Sequence, residues 1–377
     1  MGGAGVAGRG FEAAARKAGR GERLSLDDAL ALHRHPELLE LADLADSARR
    51  RAVPGDAVTY VVGRNVNYTN VCWVRCRFCA FYRLPGDPEG YTLPFERIVE
   101  KVGELAAIGG SEVLIQGGLN PDLEIGWYEE LLRRIRAAHD VHLHAFSPTE
   151  IRYIARRSGL GIEETLGRLR DAGLDSVPGG GAEILVDEVR REIAPLKEGW
   201  EEWMEVMRAA ARLGITATAT MMYGSVETLE QRLLHLVRVR EAQDETGRFT
   251  AFIPWSFQGP TPELDAPRAS GLDYLRTVAV SRLLLDNVPH LQASWVTQGA
   301  KVAQIGLGYG LDDMGSVMME ENVVSAAGTA YRVDVPELRR LIEEAGWRPE
   351  QRDTYYRPWQ RGAPLPPSPA QVARAHA

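Results

Sequence analysis

Three cysteines, Cys72, Cys76 and Cys79, stand within NYTNVCWVRCRFCAFYR, and the 377-residue chain has no others. Thiols at C-x3-C-x2-C spacing can serve one of three ends. On a helix, positions i, i+4 and i+7 share a buried face, and cysteine is a common small core residue. With a nearby histidine they could hold zinc, although structural zinc sites usually pair their cysteines as C-x2-C. Alternatively, each thiolate binds one iron of a [4Fe–4S] cluster, and three ligands leave the fourth iron open to an external group. That the whole thiol complement occupies one short loop favours the iron–sulfur reading.

The elements around this loop say where it lies. Short apolar or β-branched runs fall at 59–66, 111–118, 141–147, 173–179, 215–224, 249–257, 290–296 and 315–319. Amphipathic helical patterns separate them at 93–109, 127–138, 162–173, 199–214, 226–247 and 272–287. Alternation of this kind predicts a parallel sheet with crossover helices. About eight such units fit a closed (β/α)8 TIM-type barrel, complete or nearly so, better than an open sheet. The cysteines then follow the first strand, on the rim where such barrels do chemistry. Residues 1–24 are rich in Gly, Ala and Arg and read as a disordered start. Residues 25–58 read as a helical preamble with Ser25 as a cap, 59–350 as the barrel, and 351–377 as a Pro-rich C-terminal extension.

The same rim carries most of the other unusual side chains. QGG (116–118) closes the second strand, and glycines let backbone approach a ligand closely. His144 and Ser147 end the third, where a histidine could bind substrate or move a proton. PGGGAE (178–183) lacks the G-x-G-x-x-G spacing of a dinucleotide site, and its Glu183 opens a helix, where a carboxylate suits the dipole. Thr218 and Thr220 alternate on the fifth strand and point inward, with Met221 and Met222 as core. Trp255 and Gln258, then Trp295, Thr297 and Gln298, offer stacking faces and amides for an aromatic, polyhydroxylated substrate.

With its cysteine motif after strand one, the chain resembles the radical S-adenosylmethionine (radical SAM) enzymes. NYTNVC…CRFCAFYR, QGGLNPDL, LHAFSP, DSVPGGGAEIL, IPWSFQ and ASWVTQG narrow the resemblance to the futalosine-pathway members of menaquinone biosynthesis, on the pattern of the dehypoxanthine futalosine cyclase family. The resemblance implies a [4Fe–4S] cluster on the three cysteines and S-adenosyl-L-methionine on its open iron. It implies cofactor contacts from Phe78, Gln116, Gly117, Gly118, Ser147, Ser176, Glu183, Arg191 and Thr220. It implies substrate contacts from Tyr82, Trp255, Gln258, Trp295, Thr297 and Gln298. The expected reaction is abstraction of hydrogen from a ribose carbon, followed by carbon–carbon bond formation onto a benzoate ring. His144, Glu183 and the pair Glu320–Glu321 are candidate bases, and Arg83 is the expected partner of the substrate carboxylate. A low-potential electron donor such as a flavodoxin or ferredoxin is the implied partner. The rival readings are an aminodeoxyfutalosine synthase, which adds the adenosyl group to its substrate, and a non-catalytic metal-binding scaffold.

Bulk composition bounds these readings. Hydrophobic residues make up 45% of the chain and charged residues 25%, as in an ordinary globular protein. The net charge of −8 argues against nucleic acid as a partner. No run is long and apolar enough for a membrane span, and three unpaired thiols suit the reducing cytoplasm. The residue sets for phosphate-loop chemistry, hydride transfer and serine hydrolysis are missing.

Overall fold

The computed structural model describes residues 3–259, 261, 263–329 and 331–359. The chain begins with three helices, α1 (Gly3–Arg20), α2 (Leu26–His33) and α3 (Leu38–Ala52). α1 corrects the expectation of a disordered start. Phe11, Ala14 and Ala18 recur on one face and are buried, Phe11 stacks on His35 at 3.4 Å, and Lys17 pairs with Asp28 at 2.7 Å. Its small residues read as low complexity in sequence, but at helical spacing they let α1 pack closely on its neighbours. Ser25 caps α2 through a reciprocal box with Asp28.

The first barrel strand is in two pieces, β1 (Ala57–Val61) and β2 (Gly63–Val66). It begins two residues earlier than the sequence reading placed it. After the cysteine loop come α4 (Phe95–Ala107), β3 (Glu112–Ile115), α5 (Ile125–Ala138) and β4 (His142–Ala145). The chain continues through α6 (Pro148–Ser158), α7 (Ile162–Ala172), β5 (Ser176–Val177), α8 (Asp187–Ile193), α9 (Trp200–Arg212) and β6 (Thr216–Tyr223). Then follow α10 (Leu229–Thr246), β7 (Phe249–Ser256), α11 (Gly271–Leu284), β8 (His290–Leu291), α12 (Trp295–Gln298) and α13 (Ala300–Gly306). β9 (Asp313–Ser316), α14 (Val335–Glu344) and β10 (Arg348–Gln351) complete the described chain.

β2 through β8 hydrogen-bond in sequence order as a parallel sheet of seven strands, and β10, β1 and β9 form a second sheet. β1 runs on into β2 across Val62, and a parallel bridge between Gln292 and Asp313 joins β8 to β9. The strands therefore close into an eight-membered ring, the TIM-type barrel expected. The strands are buried on both faces, as all-parallel sheets are. On β6, Ala217, Ala219 and Met221 are buried, while Thr218 and Thr220 line the barrel axis. Trp203, Val206, Met207 and Ala210 give α9 the matching apolar stripe.

Two further expectations change. The sequence reads a strand over 290–296, but β8 stops at Leu291. Asp312 takes the Leu291 N–H at 2.7 Å and the Tyr274 hydroxyl takes the Ser294 N–H at 2.9 Å, so side chains replace a ladder and the chain turns into α12. Residues 351–359 are also less an extension than part of the barrel floor. Gln351 belongs to β10, which pairs with β1, and the Arg352 guanidinium is buried against Asp313, with Nη2 3.0 Å from Oδ1. The remainder of that predicted segment lies outside the described residues. Among the described residues, no helix is long and apolar enough to cross a membrane.

Candidate active site

The cysteine loop leaves the top of β2 and is pinned at both ends. The Cys72 N–H donates to the Arg83 carbonyl at 2.8 Å, and the Arg83 N–H donates to the Asn70 carbonyl at 2.8 Å. Between them the Cys79 N–H reaches the Cys76 carbonyl at 3.0 Å. All three thiols are free and half-buried. Burial pushes the Cys76 thiol up to about 12, with the Lys197 ammonium pulling against it and the other two thiols close enough to add to it. Burial likewise raises Cys79, opposed by the backbone N–H groups of Phe81 and Tyr82. Among the described residues, no three Cys, His, Asp or Glu side chains converge on the position of one metal ion.

Gly118 explains how tightly this loop is seated. A Cβ there would stand 2.2 Å from the Val71 carbonyl oxygen and 2.9 Å from the Cys72 Cβ. The N–H groups of the QGG segment are already used, however. Gly117 donates to Glu150 Oε1 at 2.9 Å and Gly118 to the Thr69 carbonyl at 2.9 Å. These N–H groups are engaged within the protein; a ligand's amino group would call on carbonyl oxygens instead. Gln116 does line the barrel axis.

Glu183 adopts a left-handed backbone, φ 41°, and is buried. Its Oε1 accepts from Lys197 Nζ at 3.0 Å, and Arg190 Nη1 lies 3.7 Å from Oε2. Burial works against the charge on Lys197, yet Glu183, Cys76 and Glu198 hold the ammonium above the usual lysine range. The same ammonium lies 5.6 Å from the Phe78 ring. Phe78, Cys76, Lys197 and Glu183 thus form one corner, and Lys197 is the member that sequence reading missed. Arg191 is not part of it. It is exposed on α8, while its neighbour Arg190 is 3% exposed and holds the carbonyls of Gly181 at 3.1 Å and Ala182 at 2.6 Å.

A cavity of about 270 Å³ lies inside the barrel. Gln116, His144, Thr220, Trp255, Trp295 and Thr297 line it, and Asn65, missed by sequence reading, joins them. Thr220 donates to the Gly179 carbonyl at 2.6 Å. Ser176 Oγ lies 2.6 Å from His142 Nε2 and 2.6 Å from His144 Nδ1. Burial lowers both histidines, which are therefore neutral at pH 7. Residues 318–324 roof the cavity through Met318, Glu321, Val323 and Val324.

Several expected site residues are engaged elsewhere. Arg83 pairs with Glu89 at 2.7 Å and with the Tyr82 carbonyl at 3.0 Å, bracing the cysteine loop. Tyr82 stands on that loop, and burial raises its phenol. Ser147 caps α6 in a reciprocal box with Glu150. Gln258 donates to the Ser256 carbonyl at 3.0 Å and accepts from Thr329 at 3.2 Å, and Gln298 donates to the Ser256 hydroxyl. Glu320 is held by Arg64 and Lys101, and Glu321 accepts the backbone N–H groups of Val323, Val324 and Ser325. Neither is a free base. The partners of Glu320 and Gln298, and the Thr329 that bonds Gln258, come from distant segments that a loop's own sequence does not show.

Residues 66–237 match the Radical SAM superfamily, and residues 246–364 match the CofH/MqnC C-terminal region. The chain is 49% identical to the cyclic dehypoxanthine futalosine synthase of Halalkalibacterium halodurans, over 90% of this chain and 92% of that one. It is 42% identical to the synthase of the same name from Streptomyces coelicolor, over 90% and 86%. At 43%, over 88% and 96%, it is as similar to the 5-amino-6-(D-ribitylamino)uracil–L-tyrosine 4-hydroxyphenyl transferase of Archaeoglobus fulgidus. Among solved structures, methylornithine synthase (PylB) shares the fold with a TM-score of 0.71 at 18% identity, over 89% of this chain and 97% of that one.

Proposed function

The chain belongs to the radical SAM superfamily and to the family of the cyclic dehypoxanthine futalosine synthases, and from that premise we propose that it cyclises dehypoxanthine futalosine in menaquinone biosynthesis. Hydrogen is removed from the substrate's ribose, and the ribose carbon then bonds to the benzoate ring. The observation that carries this reading is a loop holding all three cysteines, packed against Gly118 two residues from the cavity-lining Gln116, in a chain 49% identical to a synthase of that name.

Cys72, Cys76 and Cys79 would hold a [4Fe–4S] cluster, whose open iron would take S-adenosylmethionine. When bound, that pair supplies a 5′-deoxyadenosyl radical. The protein's part is to place and shield. Phe78, Lys197 and Glu183 form a wall beside Cys76, with a cation and a carboxylate for the charged groups of an amino acid. Gln116 and Thr220 continue that wall into the cavity. Trp255 and Trp295 supply aromatic faces for the benzoate end, and the Asn65 amide oxygen, buried without a partner among the described residues, supplies an acceptor for a substrate hydroxyl. The roof at 318–324 keeps water from the reacting carbon, and a fixed pose selects which hydrogen is taken. A low-potential flavodoxin or ferredoxin is the electron donor, and the exposed Arg75 and Arg77 of the cysteine loop suit an acidic partner.

The 43% identity to a 4-hydroxyphenyl transferase supports the second reading, joining of a tyrosine-derived ring to a ribitylaminouracil. Anaerobic protein loaded with iron and sulfide, given S-adenosylmethionine and dithionite, separates them. We expect dehypoxanthine futalosine to be converted to a product two hydrogens lighter, with one free 5′-deoxyadenosine per turnover. Product only from tyrosine and the ribitylaminouracil would establish the transferase. Adenosyl carbon in the product of an enolpyruvyl benzoate would establish the aminodeoxyfutalosine synthase.

A further inference from the structure

The cyclised ring must lose a proton, and most candidate acceptors on the rim are committed. Glu183 is ion-paired to Lys197 and Arg190, Glu320 to Arg64 and Lys101, and Glu321 caps a turn. His144 differs. It lines the cavity, the one hydrogen-bond partner of its Nε2 among the described residues is Thr218 Oγ1 at 3.5 Å, and that oxygen already accepts the Gly179 N–H at 3.0 Å. Behind it stands Ser176 Oγ, at 2.6 Å from His144 Nδ1 and 2.6 Å from His142 Nε2. One hydroxyl hydrogen cannot serve both rings, so at least one histidine donates to Ser176 Oγ; with no second acceptor for the Ser176 hydroxyl among the described residues, the other ring accepts from it.

We propose that His144, Ser176 and His142 form a proton relay leading out of the cavity, an inference that rests on the cyclase reading above. In the resting arrangement His144 Nδ1–H donates to Ser176 Oγ, and the Ser176 O–H donates to His142 Nε2. His142 then carries its hydrogen on Nδ1, 4.0 Å from the Asp175 carboxylate. In the transfer, a ring C–H bond breaks and its electron pair stays on the ring. An N–H bond forms at His144 Nε2, the Nδ1 hydrogen passes to Ser176, and the Ser176 hydrogen passes to His142. One proton moves and no electron does. His144 ends neutral with its tautomer reversed, and the positive charge rests on His142 beside Asp175, away from the reacting carbon. Arg136, itself bonded to Asp175, and Arg357 also face His142 and oppose its charge, while Glu112 favours and Arg352 opposes charge on His144, so both imidazoles are neutral at rest and His142 carries the proton only in transit.

The test measures cyclised product and 5′-deoxyadenosine together, in enzyme loaded with iron and sulfide and given S-adenosylmethionine, dithionite and dehypoxanthine futalosine. Ser176→Ala cuts the relay while leaving both histidines. We expect its ratio of product to deoxyadenosine to fall about 10²-fold. Ser176→Thr, which restores the hydroxyl, should recover most of it. If Ser176→Ala does not fold, His142→Gln serves, because its amide can bond to Ser176 but cannot take a proton. An unchanged ratio, or an equal fall in product and deoxyadenosine, would overturn the relay. No free deoxyadenosine from the unsubstituted enzyme would sink the cyclase reading itself.

Discussion

The Tyr68 hydroxyl donates to Glu150 Oε1 at 2.9 Å, the same oxygen that receives the Gly117 N–H. The second oxygen of Glu150 takes the N–H of Ser147 at 2.8 Å and its hydroxyl at 2.6 Å. One buried carboxylate therefore ties the start of the cysteine loop to the ends of the second and third barrel strands. Burial raises Glu150 above the usual carboxylate range, opposed by these four donors. Glu150→Ala strands the donors, and a buried unsatisfied donor costs about 1–3 kcal/mol. We expect a lower Tm and faster loss of iron from the loaded protein. Unchanged iron retention would show that the loop is held without this residue.

Cys72→Ala, Cys76→Ala or Cys79→Ala should each abolish stable iron binding and all deoxyadenosine formation, because a cluster with two protein thiolates is poorly held. Circular dichroism should be unchanged, since the loop crosses no barrel strand. Iron and sulfide analysis with visible absorbance decides it.

Lys197→Met leaves Glu183 buried with Arg190 Nη1 3.7 Å from Oε2 as its remaining cation. Breaking a buried pair costs about 3–5 kcal/mol when one charge is stranded. We place the outcome near the lower end, because Arg190 still offsets part of the charge. The expected signs are a lower Tm and a Kd for S-adenosylmethionine raised at least tenfold by equilibrium dialysis. Lys197→Arg should rescue Tm more than Kd.

Gly118→Ala and Gly167→Ala make a matched pair. The first places a methyl 2.2 Å from the Val71 carbonyl and should displace the cysteine loop, with loss of iron occupancy. The second lies inside α7 with nothing within 4 Å of the added carbon, and should raise stability by about 0.5–1 kcal/mol. Denaturant midpoints and iron content read both.

The roof should loosen in acid. Burial would raise Glu320, but Lys101, Asn322 and Arg64 outweigh it and hold the carboxylate below its ordinary value of 4.5. A lowered acid stabilises the fold above its unfolded pKa, and that share is lost as pH falls through the folded one. Stability should therefore decline below about pH 4.5, less steeply in Glu320→Gln, as thermal unfolding across pH would register.

The barrel was legible because its signals are local. Apolar runs alternating with amphipathic helices name the architecture without any contact being known, and glycine after a strand marks a close approach. The capping box at Ser147 and Glu150 was equally visible in SPTE, although it turns Ser147 from a cofactor residue into a helix cap. Arg191 and Arg190 show the limit. Adjacent arginines on one short helix are indistinguishable by type, and only packing sends one to Glu183 and the other to solvent. Lys197 gave no signal at all, because APLKEG carries no pattern until the fold brings it against Cys76.

Sequence by itself determined the count and spacing of the thiols, and with them that a [4Fe–4S] cluster bound there would keep one iron open, since ligand number is a property of the chain. It determined the parallel barrel, since hydrophobic period fixes element type. Tertiary structure decided which side chains remain free to act. Glu320 is tied to Arg64 and Lys101, and His144 is a cavity residue backed by Ser176 and His142, because a charged or hydrogen-bonding group's role depends on the partners that distant segments deliver to it.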